Sequence, residues 1–385
     1  MKVLQINSVC GIGSTGKICT DIAKQLIDDG HECKIAYGRG VVPDEYKDLA
    51  VRIGSNLDNK LSAVHTRLTG KHGFSNKSAT IEFVKWAESY NPDVIHLHNI
   101  HGYYINIEIL FKYLKRVQKP VVWTLHDCWP FTGHCAHFDM CGCNKWMSHC
   151  GNCPQINTYP KSLFDNSHKN FEQKKKIFTS LKNLTIVTPS IWLKTLVNQS
   201  FLGCYDVKVI NNGINREVFK PTPGNFRKIN GLENKKILLG VANIWNKRKG
   251  FDDFLKLASM IDEDYIIVLV GLSKKQISGL PKNILGITRT ESASELAHIY
   301  TTADVFVNPT YEDNYPTVNL EAQACGTPVV TYNTGGSVES VNEECIVNKG
   351  DLQSLYKRIT YMPMLARDDV VTDKKDMVQK YLTLY

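Results

Sequence analysis

Two α/β domains, each a parallel sheet covered by helices on both faces, form the architecture that this sequence predicts. Three observations carry it. Short apolar, β-branched runs alternate with amphipathic segments along the chain. The alternation restarts near residue 236, after a stretch rich in Pro, Gly, Asn and charge. The length, 385 residues, exceeds what one hydrophobic core usually organises.

In the first half, residues 2–8 read as a buried strand. Residues 15–29 follow with Ile18, Ile22 and Leu26 on one helical face, and Gly30 is the stop. Residues 33–37, 93–98, 120–125, 184–188 and 207–210 are further strands, separated by amphipathic segments at 80–90, 105–117 and 190–199. The residues at 219–234 are the best linker. In the second half, strands are expected at 236–242, 265–270, 305–308 and 328–332, with helices at 250–260, 293–301 and 316–325. The expected domains are 1–215, a linker 216–235, and 236–368. A terminal helical segment, 369–385, can pack back on the first domain. Ligands in such folds bind at the C-terminal strand ends, which predicts a cleft between two Rossmann-like domains.

The bulk numbers narrow the function. A hydrophobic share of 43% is ordinary for a globular chain. No run approaches the ~18 apolar residues of a membrane span. The start, MKVLQINSVCGIG, has no signal-peptide core or cleavage site and reads as the first strand of a cytoplasmic protein. A net charge of +8 suits anionic ligands or an acidic membrane, with a solvated basic surface as the bland alternative. No basic tail or low-complexity run points to nucleic acid.

The loop Gly11-Ile-Gly13-Ser-Thr-Gly16-Lys17 follows a strand and opens a helix, a setting that offers backbone N–H groups to phosphate. Gly13 and Gly16 are the donor-binding candidates here. The loop nearly matches the nucleotide-triphosphatase pattern, but Ile18 stands where a magnesium-binding hydroxyl is required. A plain tight turn is the alternative.

The most informative stretch runs from Asn308 to Val330. A strand ends, Glu312 and Asp313 occupy the loop, Asn314 reads as a cap, Pro316 as the first helical residue and Gly326 as the stop. N–H groups at 315–318 are placed for a diphosphate, which singles out Tyr315 and Thr317. Glu321, in the second turn, can accept from two vicinal hydroxyls.

This stretch resembles the family 4 retaining glycosyltransferases, in its capsule, exopolysaccharide and colanic-acid variant. The family's paired acids followed by E-A-x-A-x-G-x-P-V-V correspond to Glu321-Ala-Gln-Ala-Cys-Gly-Thr-Pro-Val-Val. Seven residues lie between Asp313 and Glu321 and eight between Glu312 and Glu321, and which acid faces the sugar stays open. Thr124-Leu-His126-Asp resembles the family's active-site histidine strand, and 240–250 its donor-phosphate loop. Relatives often carry Arg after the glycine of that strand. Here the position is Val241, so the phosphate role passes to Lys249 and Arg248. The resemblance implies a GT-B type fold. It also implies transfer of a sugar, with retention of configuration, from a nucleotide-diphosphate donor to a glycan or lipid-linked acceptor in surface polysaccharide synthesis. His126, Glu312 and Asp313 are then catalytic candidates. His98 and His101 are weaker ones, because strand-end histidines are often structural.

Leaving diphosphate can be stabilised by Lys249, Arg248 and a helix start without a metal ion. The expectation is therefore catalysis with no cofactor. Twelve cysteines, six of them within 128–153, have no secretory context for a disulfide scaffold. Cys135, Cys143, Cys150 and Cys153 form the best tetrad for a closed, structural zinc site, with reduced packed thiols as the alternative. The segment 105–118 has an apolar face beside Lys112, Lys115 and Arg116. It reads either as a sheet-covering helix or as a peripheral contact with anionic lipid at the inner face of the cell membrane. Other readings are a P-loop phosphotransferase, which magnesium-dependent ATP turnover would reveal, a nucleotide-sugar epimerase, which consumes no acceptor, and a zinc-stabilised binding scaffold, which would not need Lys249.

Overall fold

A computed structural model describes residues 1–361 and 371–385. These divide into two compact units, Met1–Asn211 with Met377–Tyr385, and Asn212–Asp376. The boundary expected at 368/369 lies outside the described residues.

The first unit runs β1 (Lys2–Asn7), α1 (Gly13–Asp28), β2 (Glu32–Tyr37), β3 (Ala50–Arg52), α2 (Asn56–Thr69), α3 (Lys77–Tyr90), β4 (Val94–Leu97), α4 (Ile107–Val117), β5 (Val121–Thr124), α5 (Ser167–Phe178), β6 (Leu184–Thr188), α6 (Ile191–Gln199) and β7 (Asp206–Val209). Its seven parallel strands lie in the order β3-β2-β1-β4-β5-β6-β7. Both faces are buried, which is why these strands read as unbroken apolar runs. Leu4, Ile6 and Trp123 point into one core layer, and Val3 and Val122 into the other. The direction of winding reverses between β1 and β4, so the C-terminal ends of these strands flank a crevice.

The second unit contains α7 (Phe226–Asn230), β8 (Lys236–Val241), α8 (Phe251–Ala258), β9 (Tyr265–Val270), α9 (Lys274–Ile277), β10 (Ile284–Ile287), α10 (Ala293–Thr302), β11 (Val305–Asn308), α11 (Thr317–Ala324), β12 (Val329–Tyr332), β13 (Ile346–Val347) and α12 (Leu352–Thr360). Its parallel sheet has the order β10-β9-β8-β11-β12-β13, with the reversal between β8 and β11. The stretch expected to be a linker packs onto this unit. Phe219 and Leu232 are buried in its core, and Arg227 pairs with Asp304 at 2.7 Å. Its Pro, Gly and Asn content reflects turns within a domain, not an untethered connection.

The terminal helix α13 (Lys374–Leu382) returns to the first unit. Met377, Val378 and Tyr381 are buried beside Val3, Ile22 and Val187. Residues 105–118 resolve in favour of the sheet-covering helix. α4 buries Ile107, Leu110, Phe111, Tyr113 and Leu114, and its outer charges are engaged, Lys112 with Glu108 and Arg116 with Glu88. No helix among the described residues is long and apolar enough to cross a membrane.

Candidate active site

Each unit contributes a cluster at the strand ends beside its reversal point. In the first unit, β1 ends in Asn7, whose side chain ties the Gly loop down. Its Nδ2 donates to Val9 O (2.8 Å), and its Oδ1 accepts from Asn99 N–H after β4 (3.2 Å). Helix α1 begins at Gly13, earlier than its apolar pattern suggests, and has no side-chain cap and no acid in its first turn. Gly13 is exposed with φ +64°. Gly16 instead is buried, and its carbonyl accepts from Gly11 N–H at 3.2 Å. A Cβ on Gly16 would stand 3.1 Å from Gly11 N, so this glycine closes the loop from inside. Ile18 is buried beneath α1, so the triphosphatase alternative lacks its hydroxyl in space as well as in sequence.

β4 and β5 deliver three histidines. His98 Nδ1 lies 3.0 Å from His126 Nε2, and His98 Nε2 lies 3.1 Å from Gln5 Oε1. The chain of partners assigns the protons. Gln5 Nε2 donates to Cys19 O at 2.9 Å, and a carbonyl only accepts, so Gln5 Oε1 faces His98. His98 then carries its proton on Nε2 and accepts at Nδ1, so His126 donates from Nε2 and keeps its lone pair on Nδ1. This holds because both rings stay neutral. Burial pushes His98 well below the usual histidine range. Loss of water lowers His126 to about 4, although Asp127 beside it acts the other way. His126 is partly accessible, while His98 and Gln5 are buried.

The next residue, Asp127, was not singled out by its sequence. Its Oδ2 meets His101 Nε2 at 2.8 Å, and its Oδ1 accepts from Trp129 N–H at 2.9 Å. Burial alone would raise this carboxyl, but His101, His137 and the Trp129 N–H together hold it at about 2. Tyr159, reaching in from beyond the cysteine-rich insert, holds the other His101 nitrogen at 2.9 Å. Its sequence signal was only adjacency to the insert, and 58 residues separate it from His101.

In the insert, Cys135, Cys143, Cys150 and Cys153 all line one pocket together with His134. Gly133 N–H donates to Cys150 Sγ at 3.2 Å. All twelve cysteines are free thiols. Among the described residues, however, no three His, Cys, Asp or Glu side chains stand close enough to hold a metal ion. The expected tetrad is thus gathered but not closed. His134 is buried with neither ring nitrogen hydrogen-bonded, and burial lowers it to about 4.

In the second unit, the loops after β8 and β11 are zipped together. Asn246 caps the turn Lys247–Lys249, accepting from Lys249 N–H at 3.1 Å. Gly250 then needs φ +74°, and a Cβ there would stand 2.2 Å from Pro309 O. Arg248 O accepts from Tyr311 N–H (2.8 Å), and Arg248 Nη1 donates to Glu312 O (3.1 Å). Lys249 Nζ pairs with Asp313 Oδ2 at 2.5 Å. Lys249, Arg248, Glu312 and Asp313 are therefore brought together. Glu312 is buried and Asp313 partly so.

The cap of α11 lies two residues later than expected and its first residue one later. Pro316 is the cap residue of α11, without a side-chain cap, and Thr317 opens the helix. Asn314 is buried ahead of it and does not cap. Tyr315 is buried in the core, its hydroxyl pushed up to about 12, so only its backbone can serve a ligand. Glu321 is partly exposed and receives the Tyr300 hydroxyl on Oε2 at 3.1 Å. A buried amide and hydroxyl network fixes the helix. Asn319 accepts from Asn308 (2.8 Å) and donates to Ser337 (3.2 Å) and Ser340 (2.9 Å). The Gly335–Gly336 turn went unread in the sequence. Gly336 N–H donates to Asp313 O at 3.1 Å, and a Cβ on Gly335 would overlap that oxygen at 2.0 Å.

His126, Gly13 and Gly16 belong to the first unit, and Arg248, Lys249, Glu312, Asp313, Tyr315, Thr317 and Glu321 to the second. Comparison with known proteins gives this division a meaning. The profile described as Glycosyltransferase Family 4 matches residues 15–218, and that described as Glycosyl transferases group 1 matches 235–362. WcaC of Escherichia coli (strain K12), named as a colanic acid biosynthesis glycosyl transferase, is 22% identical over 411 residues, spanning 100% of this chain and 99% of that one. An alpha-galactosylglucosyldiacylglycerol synthase of Streptococcus pneumoniae (strain ATCC BAA-255 / R6) is 30% identical over 171 residues, 40% of this chain and 44% of that one. The structure of Anabaena HepE in complex with UDP superposes with a TM-score of 0.68 at 16% identity, covering 100% of this chain and 98% of that one. Two parallel Rossmann-like sheets of this kind make the GT-B architecture, and the chain belongs to glycosyltransferase family 4.

Proposed function

We propose that this glycosyltransferase moves a sugar from a nucleotide-diphosphate donor to a hydroxyl of a glycan or lipid-linked acceptor, with retention of configuration and without a catalytic metal, in surface polysaccharide synthesis. The observation that supports it most is the Lys249–Asp313 ion pair, which ties the turn before α8 to the loop leading to the uncapped start of α11. When the anomeric C–O bond breaks, its electron pair passes to the leaving diphosphate. Lys249 and the N–H groups from Thr317 onward oppose that charge without reorganising, because Asp313, Asn246 and the Asn319 network already hold them. The acceptor oxygen then bonds to the anomeric carbon on the same face, and its proton passes to the leaving phosphate oxygen. Glu321, oriented by Tyr300, suits ribose hydroxyls. Glu312 and Asp313 supply the acidic pair near the sugar, and His126, neutral, hydrogen-bonds a sugar hydroxyl.

A thermal-shift panel of UDP, GDP, ADP and their sugar conjugates tests the donor, since a native-state ligand raises the melting temperature. The HepE complex makes UDP the first choice. A shift with one diphosphate, unchanged by chelator, and release of that diphosphate only with acceptor present are expected. A shift with magnesium-ATP alone would overturn the reading. For the insert we propose one structural zinc per chain, on the donor chemistry of four thiols around one pocket and not on their present spacing. Elemental analysis of protein purified without added metal checks it, and no zinc removes it.

A further inference from the structure

Helix α2 is built inside out. Leu57, Leu61, Val64 and Leu68 are each more than half exposed, while Ser62 and Thr66 are buried and Asn59 turns inward to donate to Gly38 O. At 100° per residue the four apolar side chains fall within about 60° of arc, so they form one stripe. A helix on the surface of a globular domain normally does the reverse. The stripe continues past the helix. Leu163 N–H donates to Arg67 O at 2.8 Å and Asn166 Nδ2 to Thr69 O, which seats Leu163 and Phe164 against the last turn of α2. Both are more than half exposed.

The charges around this apolar strip are mostly positive, four cations against the carboxylates of Asp58 and Asp165. Lys60, Arg67, Lys71 and Lys161 are exposed along it. Its acids are engaged by the backbone: Asp58 closes the capping box with Ser55, and Asp165 accepts from Cys153 and Ser167 N–H. Contiguous exposed apolar surface marks an interaction site, and an apolar stripe bordered by Lys and Arg matches the boundary between anionic headgroups and acyl chains.

We propose that α2 and the Leu163–Phe164 segment dock this chain on an anionic lipid bilayer. Leucines enter the acyl boundary, and the four cations meet the headgroups. The apolar face of α4, for which the sequence allowed a lipid contact as one of two readings, is spent on the sheet, and α2 is the helix that offers one. The inference does not depend on the donor site, and its test reads binding instead of catalysis, so either can fail alone.

The full chain is floated with vesicles of phosphatidylcholine, alone or mixed with phosphatidylglycerol. At least tenfold greater recovery with the mixed vesicles is expected, falling at high salt. The variant Leu61→Glu/Leu68→Glu should lose that recovery at an unchanged melting temperature, since both side chains lie in solvent. Lys60→Gln/Arg67→Gln should weaken it severalfold, and Lys112→Glu/Lys115→Glu on α4 should leave it intact. Absence of flotation with the mixed vesicles overturns the proposal, as does equal flotation of Leu61→Glu/Leu68→Glu. A wild-type dimer in light scattering that this variant splits, without flotation, overturns it in favour of a second copy of the chain.

Discussion

Single residues set the charge and proton state of the site. Lys249 pairs with Asp313, an acid of the expected signature, so Lys249→Ala should lower kcat/KM by on the order of 10²-fold or more with little change in melting temperature. Asp313→Asn should cost less, because it loosens the ammonium but leaves it in place. Steady-state kinetics on both variants checks the order. The histidines predict a pH dependence of stability. His96 is lowered to about 3, and His126 and His134 to about 4, in each case chiefly by burial. Their folded values lie below the unfolded value, so as pH falls from about 6.5 towards 4 the unfolded chain binds protons that the folded chain refuses. Stability is full above that window and is lost through it, by about 2 kcal/mol per histidine at pH 5. Urea titrations at pH 7 and pH 5 measure the loss, and His134→Asn should remove one share. Nitrogen-15 spectra of the imidazoles at pH 7 should show His126 protonated on Nε2, as the Gln5–His98 relay requires.

At the scale of elements, what matters is how loops are pinned. Gly250 and Gly335 each press against a carbonyl, of Pro309 and Asp313 respectively, where no Cβ fits. Gly335→Ala should therefore displace Asp313 and reduce activity by more than its loss of stability explains. Comparing kcat/KM with the denaturation midpoint separates the two. Replacing Asn319 by Leu strands three polar partners in the core and should cost about 1–3 kcal/mol. Most strands and the helices with a strong apolar period were legible in the sequence, because burial on both sheet faces leaves unbroken apolar runs. Helix α2 went unread although its apolar residues recur at helical spacing, and that they face outward shows only in the structure. The cap of α11 was misplaced because Asn314 has the chemistry of a cap but is drawn into the core.

For the whole molecule, the C-terminal helix is the most consequential contact. Tyr381 receives the Thr124 hydroxyl at 3.0 Å, and Tyr385 stands 2.5 Å from His96 Nδ1, whose ring lies 4.0 Å from that of His98. Truncation after Asp373 would uncover Met377, Val378 and Tyr381 sites in the core of the first unit. It should lower that unit's melting transition while the second unit's transition persists, as calorimetry would show. The sequence by itself determined the layered α/β character, the restart into a second domain and the glycosyltransferase family, because each is written in local period, turn chemistry or a contiguous motif. Tertiary structure alone decided the rest. It placed Asp127 and Tyr159 around His101, set the His126 proton through Gln5, and brought residues 377–385 back to the first unit. It also packed the apolar face of α4 on the sheet and left that of α2 in solvent. These depend on residues far apart in the chain meeting at strand ends or across a helix, and no local pattern encodes that meeting.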